Sequence, residues 1–171
     1  MYEVQILATK PRKALFPVVS WGIRLLENAP HSHVAIYFVN HGLVRHAHFN
    51  NMEGVSYCDF TNKNTIVETV SLNLSREAYI KLGNYTESKL GRQSGYFSTL
   101  FGSIIPMITR RLTGKRISNP FFKGITCSEF VRESLRQINE VLVFVLTNDT
   151  PKGTFTTRDA MALAKDVSET L

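Results

Sequence analysis

The segment SHVAIYFVNHGLVRHAHF, Ser32 to Phe49, restricts this chain more than any other. Two runs rich in β-branched and aromatic residues, Ser32 to Val39 and Leu43 to Phe49, flank an Asn-His-Gly break. That pattern predicts two antiparallel strands joined by a short loop, and so a fold built on an antiparallel sheet. Side chains alternate along a strand, so His46 and His48 share one face. If Val39 to Gly42 form a four-residue loop, Phe38 pairs with Leu43. Ala35 then lies opposite His46, and His33 opposite His48. All three histidines project from one face in that register. A three-residue loop would turn His46 to the other face.

The surrounding sequence supplies partners for this hairpin. Glu3 to Thr9 and Asn64 to Leu74 read as strands, and a short strand is expected in NNMEGVSYCDF after a glycine turn. The run PRKALFPVVSWGIRLLENAP, with Val18, Trp21, Ile23, Leu25 and Leu26, reads as a helix closed by Pro30. Trp21 is expected in the core. Ser75 is placed to cap a helix that Gly91 ends. Arg92 to Gly124 is broken by proline and glycine, with room for one or two short helices between Phe97 and Leu112. TCSEFVRESLRQIN repeats Phe130, Val131, Leu135 and Ile138 on one side, which predicts an amphipathic helix bounded by Ile125 or Thr126. VLVFVL is either a buried strand or an extension of that helix. The last helix, TTRDAMALAKDVSETL, takes Thr156 or Thr157 as its cap. Strands and helices in this order predict one α+β domain over residues 1–171.

Cys127 opens its helix, where the first-turn N–H groups and the macrodipole favour a negative sulfur. Ser128 and Glu129 suit that first turn, and Glu129 argues against burial of the turn in an apolar interior. A thiol nucleophile also needs a base and a group to orient the base. The chain has five histidines, all between positions 31 and 48. His33, His46 and His48 are the candidates, and His31 and His41 read as turn or surface residues. A lone cysteine before a helix is ordinarily a small buried hydrophobe, so the histidines carry the argument for chemistry. Cys58, the only other cysteine, is assigned to packing in a short strand. Two widely separated cysteines form no disulfide framework, which fits a reducing compartment. A zinc site made from the histidines and Cys127 matches no known ligand spacing, and neither a metal nor another cofactor is expected.

HVAIYFVNHGLVRHA, from His33 to Ala47, followed by Gly54-Val55 and a helix beginning at Cys127, resembles the permuted papain-like hydrolases and acyltransferases. These include the circularly permuted NlpC-like and the lecithin retinol acyltransferase-like groups. VVSWGIRLLENAPHSHVAI and TNDTPKGTFTTRDAMALA resemble the bacterial and phage branch, so the likeness covers most of the chain outside Arg92 to Gly124. The resemblance implies a permuted papain-like sheet packed against helices, with its nucleophile at a helix N-terminus. It makes Cys127 the nucleophile, His33 the general base and His46 the orienting residue, with His48 as competitor for that last role. Many bacterial members carry Glu where this chain has His46. Such a site would cleave an amide (peptide, isopeptide or cell-wall amide) through an acyl-enzyme. The helix-start N–H would provide one oxyanion donor, and Tyr37 is a candidate for lining the site.

Two other functions fit the same features. One is a lipid acyltransferase or thioesterase at a membrane surface; the other is an inactive binding module. Lys and Arg exceed Asp and Glu by 6, and part of that excess lies in RRLTGKR. Arg110, Arg111, Lys115 and Arg116 would suit an anionic surface, although a solvated loop is the simpler reading. No helix-turn-helix, zinc-finger or RNA-binding signature is present, so no specific nucleic-acid partner is expected. The N-terminus shows no secretory pattern and no apolar run is long enough to span a bilayer, so a cytoplasmic location in a bacterium or a virus-infected cell is expected.

Overall fold

The computed structural model describes residues 1–12, 20–21, 24–25, 28–48, 51–92, 104–115, 117–118, 125–148, 150 and 155–171. Strands Tyr2–Pro11 (β1), His33–Phe38 (β2), Leu43–Ala47 (β3), Met52–Ser56 (β4) and Asn64–Leu74 (β5) form one antiparallel sheet in the order β4-β3-β2-β1-β5. Among the described residues six helices accompany it: Tyr57–Lys63 (α1), Arg76–Ser88 (α2), Ile104–Thr113 (α3), Cys127–Arg136 (α4), Glu140–Thr147 (α5) and Thr157–Thr170 (α6). The chain is therefore an α+β protein.

Strand β1 lies between β2 and β5 and carries a nearly unbroken buried run, because both faces of the sheet are covered. One face presents Val4, Ile6, Val34, Ile36, Phe38 and Leu72 to Phe130, Val131 and Leu135 of α4 and to Ala160, Leu163, Ala164 and Val167 of α6. The opposite face presents Leu7, Ala35 and Val44 to Phe60 of α1. The alternation of strand side chains thus divides the core into a large cluster and a small one.

The hairpin adopts the four-residue loop. Phe38 pairs with Leu43, Tyr37 with Val44 and Ile36 with Arg45. Val39–His41 form a 3-10 turn, and Gly42 closes it at φ 62°, a left-handed conformation that favours glycine. The Gly42 carbonyl then accepts the N–H of Tyr57 at 2.8 Å, tying the loop to the start of α1.

Helix starts follow side-chain capping. Ser75 accepts the N–H of Ala78, Thr126 that of Glu129, and Thr156 forms a capping box with Asp159. The same chemistry corrects the expectation for Cys58. Ser56 accepts the N–H of Asp59 and starts α1, so Cys58 is exposed on a helix and not packed in a strand. Gly54 likewise lies within β4, opposite Arg45, and not in a turn. VLVFVL forms neither a buried strand nor a continuation of α4. Asn139 caps a separate helix, α5, in which Val143 is buried while Val141, Phe144, Val145 and Leu146 are exposed. Trp21, expected in the core, is 58% exposed. Val18, Ile23, Leu26, Phe97, Phe101 and Arg116 lie outside the described residues.

Candidate active site

His33 begins β2 opposite Thr9 of β1, beside a register shift between Ala8 and Thr9. The register that pairs Phe38 with Leu43 sets the His46 side chain on the same face as His33. Their rings meet. His33 Nε2 and His46 Nδ1 are 3.1 Å apart, and the ring planes cross at 77°. Phe60, itself buried, forms the floor, with its ring 5.1 Å from His46 and 6.4 Å from His33 between centroids. α1 therefore supplies an apolar support that turns a strand-face histidine pair into a desolvated one.

Burial decides the charge of this pair. It pushes the His33 imidazole down to about 4, with the positive form of His48 adding to the effect. Burial, then His33, His48 and Lys63, push His46 down to about 2. Both rings are neutral near pH 7, so one nitrogen at the contact carries a proton and the other a lone pair. Were His33 to accept a proton at Nδ1, that nitrogen would have to start bare. His33 Nε2 would then carry the hydrogen and donate it to His46 Nδ1. The 3.1 Å contact accommodates that tautomer, with His46 accepting at Nδ1.

The other sequence candidates fall into different places. His48 follows β3, is mostly exposed, and has Nδ1 3.4 Å from Glu53 Oε1. Its ring centroid lies 5.6 Å from that of His46. Tyr37 stands four residues beyond His33, roughly 13 Å along the strand, with its ring stacked on Tyr57 at 4.3 Å. That separation removes it from the surroundings of the His33 ring. His31, expected at the surface, is buried. Its Nδ1 lies 3.1 Å from Thr157 Oγ1 and its Nε2 3.9 Å from Glu68. Burial lowers its basicity, Glu68 opposes this, and Lys165 adds to it. His41, in the 3-10 turn, meets the Tyr79 hydroxyl at 2.5 Å.

Cys127 is the first residue of α4 and is half-buried against the larger core cluster beside Ile125. The histidine pair belongs to the opposite face of the sheet. Any route between sulfur and imidazole therefore runs around the end of the sheet where β2 begins. A series of bonds gathers these elements at that end. Ser128 donates to the Phe155 carbonyl, Thr156 caps α6, and Thr157 meets His31, two residues before His33. Glu129 is buried, against expectation, because Arg132 lies 2.5 Å from its carboxylate.

Sequence reasoning missed both Phe60 and the His31–Thr157 contact. The Ser56-x-x-Asp59 cap could have revealed α1 and its buried phenylalanine, whereas nothing local marks a contact between residues so far apart in the chain. Of the basic cluster, Arg110 forks onto Asp159 at 2.9 and 3.0 Å. Burial would raise the Asp159 pKa, but hydrogen bonds from Arg110 and Thr156 outweigh it and hold the carboxyl low. Among the described residues no group of three or more His, Cys, Asp or Glu side chains is disposed to hold a metal ion. No described helix is long and apolar enough to cross a membrane. Comparison with family models, curated proteins and solved structures returns no match.

Proposed function

We propose that this protein is a cysteine hydrolase of the permuted papain-like kind, with Cys127 as nucleophile, His33 as general base and His46 as the orienting residue. The observation that carries the reading is the 3.1 Å contact between partly buried His33 and buried His46. A desolvated pair of neutral imidazoles is costly to build and leaves one ring nitrogen of His33 for a proton transfer. In the proposed reaction the Cys127 thiol gives its proton to His33 Nδ1 as the sulfur attacks an amide carbonyl. The tetrahedral intermediate collapses, the C–N bond breaks, and His33 returns the proton to the leaving amine. Water, deprotonated by the same imidazole, then releases the acid and restores the thiol. The imidazolium formed during the reaction is held by its hydrogen bond to the neutral His46 ring, while Glu53, across the strand pair from His46, sets its carboxylate 3.4 Å from His48. The substrate class is a peptide, isopeptide or cell-wall amide.

Exposed Cys58 would react with any thiol reagent, so the test uses a Cys58→Ser background. Intact-mass kinetics with an activated acyl or vinyl-sulfone probe should show a single adduct, absent in Cys127→Ala. Changing His33 to Ala should slow it by at least about tenfold at neutral pH, within the range general-base catalysis supplies. A Cys127 no more reactive than a free thiol, and indifferent to His33→Ala, would rule out the proposed chemistry.

A further inference from the structure

The surface formed by α3 and the nearby helical residues Trp21 and Leu25 presents a second feature, independent of the thiol. The Arg110–Asp159 fork holds one side of α3 against the start of α6. Ile108, Arg111 and Leu112 recur at helical spacing away from Arg110, and Lys115 follows the helix end beyond left-handed Gly114. Ile108 is 42% exposed and Leu112 79% exposed. Arg111 donates from Nη1 to the Leu25 carbonyl at 2.7 Å, bringing the segment with Trp21 and Leu25 alongside α3. Trp21 and Leu25, one turn apart, are 58% and 48% exposed. Arg24, Arg111 and Lys115 are interleaved with these apolar groups, form no ion pair among the described residues, and have no acidic residue in sequence from 104 to 118 to neutralise them.

We propose that this face docks on the surface of an anionic lipid bilayer. Trp21, Leu25, Ile108 and Leu112 enter the boundary between headgroups and acyl chains, while Arg24, Arg111 and Lys115 remain at the phosphates. The mixture selects this occupant. The core of a protein interface is depleted of charge, whereas here cations alternate with the apolar groups. A nucleic-acid backbone would use the cations but gain nothing from exposed Leu112 and Ile108. An interfacial tryptophan flanked by arginine and lysine is the combination that a headgroup layer accommodates.

Trp21 is the only tryptophan in the chain, so its fluorescence reports on this face alone. The full chain is mixed with phosphatidylcholine vesicles containing about one-third phosphatidylserine at low salt, and with pure phosphatidylcholine vesicles. Flotation with the anionic vesicles, a blue shift of Trp21 and its quenching by brominated acyl chains are expected. Lys115→Gln should weaken partitioning roughly fivefold, and Leu112→Ser roughly tenfold, both with unchanged circular dichroism. High salt should release the protein from the vesicles. Absence of flotation, equal binding to neutral vesicles, or flotation without Trp21 quenching would each overturn the proposal. Unaltered binding by both variants, or binding to duplex DNA but not to vesicles, would do the same.

Discussion

Replacing His46 with glutamate tests the electrostatics of the histidine pair directly. In the native site His33 is pushed down to about 4 because it is buried beside a neutral ring. An ionised carboxylate at position 46 would sit near the present ring-to-ring separation of 5.2 Å. At an effective dielectric constant of about 20, one unit charge at that distance is worth roughly 3 kcal/mol, or about two pKa units. His33 should therefore titrate near 6 in His46→Glu, less whatever the buried carboxyl loses by retaining its own proton. His46→Gln is the companion variant. It keeps a hydrogen-bonding group without charge, so His33 should stay near 4. Long-range proton–nitrogen NMR of labelled imidazoles measures both values. The alkylation profile of Cys127 supplies a chemical readout, because below about pH 6 the glutamate variant's His33 already holds a proton and cannot accept another. If the two variants titrate together, the charge at position 46 does not govern His33, and the electrostatic account of the pair fails.

The same pair makes stability depend on acid. His33 binds fewer protons folded than unfolded between its ordinary 6.5 and about 4, so stability is complete above pH 6.5 and falls as pH drops through that window. The His33 share of the loss is about 3 kcal/mol, and His46 acts in the same direction to lower pH. Urea midpoints that hold constant or rise from pH 7 to pH 4 would contradict this. Gly42→Ala should cost about 1–2 kcal/mol through left-handed backbone strain alone, since an added Cβ meets nothing within 4 Å; Gly42→Asn should cost less, and equal effects in denaturation would discount the strain. Phe130→Ala should cost about 3–5 kcal/mol, whereas Val141→Ser, at a site 75% exposed, should change stability by no more than about 0.5 kcal/mol, with denaturant titration deciding both.

Much of the architecture was legible because it depends on local chemistry. The hairpin register follows from a glycine at the left-handed position and from a strand pattern that would be inverted by a one-residue slip. Thr126, Ser75 and Thr156 cap their helices because each carries a side-chain oxygen where the first turn offers N–H groups. β5 could be bounded at Asn64 and Leu74 from its alternation and its flanks. Errors arose where pattern and environment part. VLVFVL resembles a buried strand by composition, yet an asparagine cap starts a helix and only Val143 finds the core. Burial of His31 and Glu129 depends on Thr157 and Arg132, and sequence cannot price a polar residue without knowing its partner.

The sequence by itself determined an antiparallel hairpin, narrowed its register to two alternatives of which one puts His33 and His46 on one face, and set Cys127 at the start of a helix. Tertiary structure decided what those placements are worth. Phe60, brought over the pair by a helix that sequence had read as a strand, removes water from His33 and His46 and keeps both neutral. Contacts through Phe155 and Thr157 draw the start of α4 toward the start of β2. Register is a short-range property that turn chemistry can fix, whereas desolvation depends on a separate helix packing over the hairpin and the approach of α4 on contacts such as His31–Thr157 between residues 126 apart in the chain.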